Sequence, residues 1–397
     1  MLAHPVYIAS YARSAVVPVG GVFKALHAHD IGAPVLHALL TKARLPASQV
    51  QAVVLGNALG AGGNPARMLA LAAGLPQTCA AYTVDTQCCA GLDAVALAAS
   101  LIASGQAEVV VAGGAEAWSR APLRATRPLH TGEAPVPYER PAFAPHPQDD
   151  PDLLLAAARY AASQGHTRAT QDAYAAASHA RALQGASELA AEIVPIQGVA
   201  QDAFPRALGA RQLARLPAIA HTDADVDATT RAGHAVSAAA ISPKADGAAL
   251  VLLMSETACS RLGITPRARW LGHQSLGGSP AMPLVLAADA ARSLLKAHQR
   301  HWADLAAIEL HDAFAVQGLQ WQALLQAEGV GTDMLNRHGS GIARGHPIGA
   351  SAAVALVRVL AELAQAPPGG LGLAAIAGAG GLGSAGLVQQ LHGCLDG

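Results

Sequence analysis

The sequence has few charged residues, few cysteines and no excess of charge of either sign. Only 13% of its 397 residues are charged, with Lys+Arg 26 against Asp+Glu 27, and the formal net charge is −1. A broad positive field is therefore absent, so we expect no nucleic-acid partner and no membrane partner. Because 52% of the residues are hydrophobic, the chain can form two or more packed cores, and disorder is excluded as its main state.

The five cysteines are too few and too unevenly spaced for a disulfide framework, and none belongs to a C-x-x-C zinc pair. We therefore expect reduced thiols, no metal site and a cytoplasmic protein. The first residues lack a basic segment followed by an apolar run, so no signal peptide is predicted. The stretch 363–391 is uncharged, but Pro367, Pro368 and its glycines favour buried strand and turn over a membrane helix.

Apolar runs alternate with helical patterns in most of the chain. Strands are predicted near 6–10 and 50–56 and helices near 28–42 and 65–73, followed by a strand, turn, helix and strand through 83–116. This order is typical of parallel α/β packing. A proline-rich and then helical segment at about 122–240 breaks the rhythm and is predicted to be an insertion, after which the α/β pattern resumes.

The two halves of the chain share an order of elements. In the first half a strand ends at Gly56, a turn carries Cys88 into a helix, and a further strand ends near Gly113 and Gly114. In the second half a strand ends at His311, a turn carries His346 into a helix, and a strand ends near Gly378. Residue identity between the halves is low. An internal two-fold would bring both turns to a common centre.

Cys88 lies in the segment DTQCCAGL, where the predicted strand stops and the helix begins. A helix N-terminus lowers the pKa of a thiol, so this position suits a nucleophilic thiolate. The alternative is a small buried apolar residue. His346 opens the corresponding helix, and a cysteine and a histidine on related turns are the minimum pair that activates a thiol. An ordinary Gly-His-Pro turn is the alternative there.

Two further patterns concern ligands. His311 and Asp312 end an apolar strand, where open α/β sheets place their ligands, although a hydrogen-bonded core pair is the alternative. Residues 378–383 match the dinucleotide pattern G-x-G-x-x-G, but the 14 residues that follow are too few for the rest of that fold. We expect no nicotinamide cofactor, and close backbone approach to a thioester explains these glycines better.

Several segments together resemble the thiolase family, in family order over nearly the whole chain. They are GNALGAGGNPARMLALAAGLP, the cysteine segment, GGAEAWSRAP, ADGAALVLLMSE, GSGIARGHPIGAS and the C-terminal glycine loop. The resemblance implies an α/β thiolase fold of two related βαβαβαββ halves in a five-layer α-β-α-β-α arrangement. The implied domains are an N-terminal half at 1–121 with a return at 241–270, an inserted loop domain at 122–240 that covers the acyl-CoA site, and a C-terminal half at 271–397.

The resemblance also implies roles for single residues. Cys88 matches the acyl-accepting nucleophile, and His346 matches the histidine that activates it. Ser242 falls where the family has a serine near the pantetheine chain. His311 replaces the asparagine of the family's Asn-Glu-Ala-Phe and is expected to help stabilise an enolate or oxyanion. The backbone N–H groups of Cys88 and Ala379 are expected to form a second oxyanion hole.

The chain departs from the family pattern near the chemistry. The family's C-terminal Cys-x-Gly-Gly-Gly reads Ala-Gly-Ala-Gly-Gly from Ala377, the serine after the cysteine is Ala90, the pocket-wall His-Met-Gly corresponds to residues 152–154, and a nearby glutamate is Ala158. In the family the second cysteine moves the proton on the substrate's α-carbon, and general acid/base catalysis contributes ~10²–10⁴-fold. Acyl transfer to Cys88 does not require that step.

We therefore expect a thiolase-like acyltransferase that forms an acyl-cysteine from an acyl-CoA or acyl-carrier thioester, with no cofactor. Cys88, His346 and His311 resemble the Cys-His-His set of decarboxylating ketosynthases, in which loss of CO₂ generates the carbanion. One alternative is a conventional 3-oxoacyl-CoA thiolase or acetyl-CoA C-acetyltransferase, with another group in place of the missing cysteine. A catalytically weak CoA-thioester-binding paralogue is the alternative from another class.

Two expectations concern binding partners. The phosphates of CoA need local cations, so at least one of Arg206, Arg211, Arg215 and Arg231, which lie close in sequence to Ser242, is expected to contact the nucleotide end. The resemblance implies pairing through sheet edges, and the high apolar fraction suits a large buried interface. We therefore expect a homodimer or homotetramer.

Overall fold

The computed structural model describes residues 4–60, 62–223 and 227–391. The first half forms an α/β unit, in which apolar runs form buried strands and Ala- and Leu-rich segments form helices. Its elements are β1 (Val6–Ser14), β2 (Val17–Pro18), α1 (Ala28–Ala43), β3 (Ala52–Gly56), α2 (Pro65–Ala72), β4 (Ala80–Val84), α3 (Ala90–Ala103) and β5 (Val109–Ala117).

An insertion follows, and its elements are short except for two helices. They are β6 (Arg124–Thr126), β7 (Val136–Tyr138), α4 (Leu153–Ser163), α5 (Arg168–Gln184), α6 (Ala186–Ala190), β8 (Ile193–Val194), α7 (Ala210–Leu213), β9 (Ala218–Ala220), α8 (Ala228–Gly233) and β10 (Val236–Ser237). The two long helices begin at side-chain caps, Asp152 for α4 and Thr167 for α5, which accept hydrogen bonds from the first free backbone N–H groups.

The chain then returns to the sheet and forms the second half. These elements are β11 (Ala245–Ser255), α9 (Glu256–Leu262), β12 (Ala268–Gly277), α10 (Leu286–Ala297), β13 (Leu305–His311), α11 (Ala315–Ala327), α12 (Gly341–Arg344), α13 (Ser351–Leu363), β14 (Leu371–Gly378) and β15 (Leu382–Gln390). The uncharged stretch 363–391 is thus mostly buried strand, as predicted. None of the helices in the described residues is long and apolar enough to cross a membrane.

A single 11-stranded sheet runs through both halves. The first half contributes the order β1-β11-β5-β3-β4, and the second half repeats it as β12-β15-β14-β13. Each half contains parallel neighbours (β3 with β5, β13 with β14), and the returning strand, β11 or β15, is antiparallel to its neighbours. The half-sheets join where β1 pairs with β12, and the predicted repeat of element order is confirmed.

Five layers of helices and strands enclose three apolar cores. Helices α3 and α13 lie between the half-sheets, where Leu92 and Leu356 belong to one buried cluster. Helices α1 and α2 cover the outer face of the first half-sheet, and α10 and α11 cover that of the second. Full burial of one large apolar side chain contributes ~1.5–3 kcal/mol, so the layers hold together mainly through these cores. The predicted five-layer fold is confirmed.

One strand differs from the sequence prediction. β5 does not end at Gly113 and Gly114 but continues to Ala117, because β11 pairs with it antiparallel over its whole length. The sheet is therefore mixed and not purely parallel. The extra residues carry Glu116 to the centre of the molecule.

The central helices and turns approach one another at glycines. A Cβ added at Gly349 would lie 2.6 Å from Cα of Asn57 and 2.7 Å from Oε2 of Glu116. A Cβ at Gly114 would lie 2.2 Å from the carbonyl oxygen of Gly349. Real side chains do not tolerate such contacts, so only glycine lets the turn before α13 reach the end of β3 and β5.

The insertion packs on the first turns of α11 and α12. Tyr174 of α5 is buried in a cluster with Phe314 and Ile342, and its hydroxyl donates a hydrogen bond to Asp312 Oδ2 at 2.6 Å. The four cysteines in the described residues are free thiols, whereas Cys394 lies outside those residues. The exact domain limits at 121, 240 and 270 stay predictions.

Gly349→Ala is expected to lower the free energy of unfolding by ~1–3 kcal/mol, because the new methyl group meets backbone atoms that cannot move aside. Urea unfolding followed by circular dichroism measures the change. Gly331→Ala is the matched control, since no atom lies within 4 Å of a Cβ placed there. Equal stability of the two variants would refute the close-approach argument.

Candidate active site

Cys88 and His346 lie on two short 3₁₀ turns that lead into the central helices. Cys88 belongs to the turn Gln87–Cys89 between β4 and α3, and His346 lies just before the turn Ile348–Ala350 that leads into α13. The Sγ atom of Cys88 is 3.2 Å from Nε2 of His346, although the two residues are 258 positions apart in the chain. The structure thus brings the predicted pair into contact.

Three contacts fix the position of His346. Its Nδ1 lies 2.7 Å from the hydroxyl of Ser351, and its backbone N–H donates to the carbonyl of Pro243 at 2.7 Å. The indole N–H of Trp118 donates to the backbone carbonyl of His346 at 3.1 Å. When the proton is on Nδ1, that nitrogen donates to Ser351 and Nε2 is free to accept the thiol proton of Cys88.

His311 ends β13 and lies beside this pair. Its ring stacks on the ring of His346 with 4.6 Å between centroids and 30° between planes. The ring also packs on the backbone of Gly341, where a Cβ would be 2.7 Å from its Cε1 atom. Its Nε2 is buried and has no hydrogen-bond partner within the described residues. A buried unpaired ring nitrogen next to a nucleophile is available to a substrate atom.

Burial sets the charge state of the three groups. It lowers the pKa of His346 to about 4 and raises the pKa of Cys88 to about 11. The backbone N–H groups of Ala379 and of Cys88 itself bond to the sulfur and oppose that rise. The pKa of His311 lies well below its usual value because of burial and, secondarily, because of His346 and Arg344. At neutral pH the resting site therefore holds a thiol and two neutral imidazoles.

A buried carboxylate ties the two halves together behind this site. Oε1 of Glu116 accepts from the side-chain amide of Asn57 at 2.8 Å, and Oε2 accepts from the backbone N–H groups of Ala58 and Gly349 at 2.8 and 3.0 Å. Burial raises the pKa of Glu116 to about 7, while these backbone N–H groups lower it. Glu116 is a functional residue that was not predicted from the sequence, although a single acid in an otherwise apolar strand is a signal that marks it.

Two further buried interactions support His311. Asp312 accepts from the hydroxyl of Tyr174 and from the backbone N–H of Ile342 at 3.0 Å, so it does not form the core pair with His311 that was the alternative. Arg344 forms a buried ion pair with Glu309, two residues before His311 in β13. The signal for this pair was the arginine that directly precedes Gly345 and His346.

The residues predicted to bind CoA are only partly brought together. The hydroxyl of Ser242 donates to the carbonyl of Gly341 at 2.6 Å, which places it next to the backbone that supports His311. Arg206 lies over the ring of Phe204 at 4.0 Å, Arg211 and Arg215 are exposed, and Nε of Arg231 is buried without a partner. Among the described contacts none joins an arginine to Ser242, so the CoA contacts stay predictions.

The position of the missing cysteine lies two residues before Ala379, whose backbone N–H bonds to the sulfur of Cys88, but it holds no acid. Ala377 is buried in β14, opposite Gly383 and two residues before Ala379. Cys89, the neighbouring thiol, points toward the carbonyl of Ile376 at 3.9 Å and is fully buried. Burial, with smaller contributions from Asp93 and Cys88, raises its pKa well above its ordinary value.

Within residues 4–60, 62–223 and 227–391, no cluster of three or more His, Cys, Asp or Glu side chains could hold a metal ion. The groups that the structure brings together around Cys88 are a thiol, two imidazoles and backbone N–H groups. A layered α/β fold with a cysteine and a histidine on paired central turns defines a class of thioester-handling acyltransferases.

Comparisons with known proteins agree with this class. The family model "Thiolase, N-terminal domain" matches residues 6–257, and "Thiolase, C-terminal domain" matches residues 264–390. The acetyl-CoA acetyltransferase of Thiocystis violacea is 34% identical over 97% of this chain and 99% of its own length. That of Escherichia coli (strain K12) is 35% identical over 97% and 99%.

Solved structures give the same result. The Acat5 thiolase of Ascaris suum, crystallised in complex with coenzyme A, superposes with a TM-score of 0.87 at 28% identity and covers 98% of this chain and 100% of its own. The Bacillus anthracis acetyl-CoA acetyltransferase gives 0.85 at 29% identity, over 98% and 100%. The chain belongs to the thiolase family, and the prediction of a thiolase-like acyltransferase is confirmed.

Alkylation of Cys88 by iodoacetamide is expected to accelerate up to ~10-fold per pH unit between pH 7 and 9, because the raised pKa leaves little thiolate at neutral pH. Peptide mass spectrometry measures the rate at each cysteine, and the buried Cys89 serves as the unreactive internal control. A rate at Cys88 that is constant over this range would show a stable thiolate and contradict the neutral resting pair.

Proposed function

We propose that this chain takes an acyl group from a CoA or carrier-protein thioester onto Cys88 and joins it to a carbanion formed by decarboxylation. The observation that carries the proposal is the 3.2 Å contact of Cys88 with His346 beside the unpaired nitrogen of His311, in a chain with alanine at position 377. This site has an acyl-accepting thiol but lacks the family's second thiol.

In the first step Nε2 of His346 takes the proton of Cys88 as the sulfur attacks the thioester carbonyl. The oxygen of the tetrahedral intermediate is held by the backbone N–H groups of Cys88 and Ala379, which already bond to the sulfur. The C–S bond of the donor then breaks. The leaving thiolate recovers the proton from His346, so an acyl-cysteine and a free thiol result.

In the second step a β-carboxylated thioester replaces the free thiol. Its C–C bond to the carboxylate breaks, CO₂ leaves, and the electron pair forms an enolate whose oxygen meets the Nε2–H of neutral His311. The enolate carbon attacks the acyl carbonyl on Cys88, and the C–S bond breaks to give a 3-oxoacyl thioester. The Cys88 sulfur leaves as a thiolate and takes one proton from solvent water, relayed by Nε2 of His346, so the cycle consumes one proton for each CO₂ released. No α-proton is removed, so the reaction needs no acid/base side chain at position 377.

A conventional thiolase reaction is the second candidate, and it is favoured by the relatives that are named acetyl-CoA acetyltransferases. It requires a group that removes an α-proton. The orientation of Cys89 toward β14 argues against its taking that role. A catalytically weak paralogue that binds CoA thioesters would not form the acyl-cysteine at all.

The proposal also covers where the chain acts, what it binds and how it assembles. The chain acts in the cytoplasm on a CoA or carrier thioester as substrate and needs no cofactor. It assembles as a homodimer or homotetramer, which is supported by the edge strand β4, whose Tyr82 is 49% exposed. Sedimentation at micromolar concentration is expected to show at least a dimer. A monomer would refute the assembly.

Acylation and thiolase chemistry are expected to be uncoupled. Intact-mass spectrometry is expected to show acyl-Cys88 after incubation with acetyl-CoA, while thiolysis of acetoacetyl-CoA stays far below the ~10 s⁻¹ typical of enzymes. Malonyl thioesters are expected to outperform acetyl thioesters as the donor of the carbanion, and Ala377→Cys is expected to raise thiolysis.

The controls separate the three candidates. Cys88→Ala is expected to abolish acylation, and His346→Ala is expected to slow it without unfolding the chain. Thiolysis at rates typical of enzymes by the unmodified protein would establish the conventional reaction. If no thioester acylates Cys88, the remaining candidate is the paralogue that binds CoA thioesters without catalysis.

Substitution of the proposed CoA contacts is expected to raise KM for acyl-CoA. Ser242→Ala and at least one of Arg206→Ala, Arg211→Ala, Arg215→Ala and Arg231→Ala should raise it by ~5–10-fold with kcat little changed, because one hydrogen bond to a charged or polar group is lost. Arg292→Ala, at an exposed position on α10, is the matched control. Unchanged KM in all five variants would place the CoA site elsewhere.

A further inference from the structure

A cleft whose walls carry both paired and unpaired cations lies along the part of α13 that is farthest from His346. Two adjoining cavities of about 640 and 380 Å³ share Ala9, Lys42 and Arg267 in their walls. The larger is also lined by Arg358, which lies two turns along α13 from its start at Ser351, or ~10 Å at 1.5 Å per residue. The cleft is therefore separate from the Cys88 site, which lies before the start of that helix.

The cations of this cleft differ from the paired cations in the interior. Lys42 lies in the last turn of α1, Arg44 follows the last residue of that helix, and Arg267 precedes β12. All three are exposed, and in the described part of the chain none of their side chains has an ion-pair or hydrogen-bond partner. The smaller cavity is lined by these three cations and by no acid.

The acids in the larger cavity are already neutralised or solvent-exposed. Glu192 lies between Arg13 and Arg358, and Glu362 pairs with Arg358 and, at 3.7 Å, with Arg337. Glu188, the third acid, is exposed. Glu188 still carries one negative charge, so the three cations Lys42, Arg44 and Arg267 leave a surplus of about two positive charges for a ligand.

Electrostatics and size indicate the class of ligand. The side chain of Lys42 is exposed, and its pKa is lowered mainly by desolvation; attraction to Glu192 opposes that shift, and a smaller repulsion from Arg267 adds to it. An anion between the two cations would relieve that repulsion. A guanidinium group can also donate hydrogen bonds to two phosphate oxygens at once. The volume of the larger cavity is that of a site for a small organic ligand.

We propose that this cleft binds a diphosphate-bearing anion, whose diphosphate group lies between Lys42 and Arg267. A free inorganic diphosphate and a nucleoside diphosphate share this chemistry. They differ in whether the larger cavity also holds an organic group. The proposal is independent of the reaction at Cys88.

Isothermal titration calorimetry with inorganic pyrophosphate and, separately, with ADP tests the proposal on the full-length protein. We expect a Kd below ~1 mM for at least one probe, weakened at least ~10-fold by Lys42→Ala and by Arg267→Ala. Tighter binding of ADP than of pyrophosphate would assign the larger cavity to the nucleoside. Equal affinity for ADP and pyrophosphate would show that the cleft binds the diphosphate group alone.

Lys296→Ala is the matched control, since Lys296 is also exposed in the last turn of a helix, α10, but lies outside both cavities. It is expected to leave the Kd unchanged. Circular dichroism and the rate of Cys88 acylation check that Lys42→Ala and Arg267→Ala remain folded. The proposal is overturned if neither probe binds, or if binding persists in both cleft variants or is weakened equally in Lys296→Ala.

Discussion

The contact between Cys88 and His346 depends on how closely the two halves of the chain approach each other. The two residues lie on turns from different halves, and their 3.2 Å separation exists because Gly114 and Gly349 allow backbone contact where any side chain would collide. Glu116 holds this junction through hydrogen bonds to the turn after β3 and to Gly349. Packing, and not local sequence, therefore creates the reactive pair.

Burial at this junction also determines the chemistry. Low polarity keeps Cys88 protonated and both histidines neutral, so the nucleophile forms only when a substrate is attacked and His346 accepts its proton. A neutral His311 can donate a hydrogen bond from Nε2 to an enolate oxygen without adding a fixed charge. The same desolvation gives the backbone N–H groups of Ala379 and Cys88 their strength as oxyanion donors.

Much of the fold could be predicted from the sequence because periodicity and order are local signals. The strands and helices around Cys88, His311 and His346 lie close to where the apolar patterns place them. The extension of β5 past Gly114 could not be predicted, since it depends on pairing with β11, which is distant in the chain. Helix α4 was not predicted separately within the insertion, although its Asp152 cap and its Leu- and Ala-rich sequence are local signals for a helix.

The candidate site was predictable in part for the same physical reasons. Cys88 and His346 could be inferred because related turns of a repeat meet at one centre. Ser351, Trp118 and Glu116 act through side-chain contacts that link separate segments, and no spacing in the sequence reports such contacts. The arginines near Ser242 were expected to lie beside it because they are close in sequence, but the described contacts do not join them to it.

The central claim is that this thiolase-family site forms an acyl-cysteine but does not move a proton at the α-carbon. Incubation of the protein with acetyl-CoA in D₂O, followed by mass spectrometry of both Cys88 and the thioester, tests it directly. The account predicts acetyl-Cys88 together with acetyl-CoA that contains no more deuterium than in the Cys88→Ala control. Deuterium uptake into the acetyl group that depends on Cys88 would contradict it, because it would show that an α-proton acid/base is present despite Ala377.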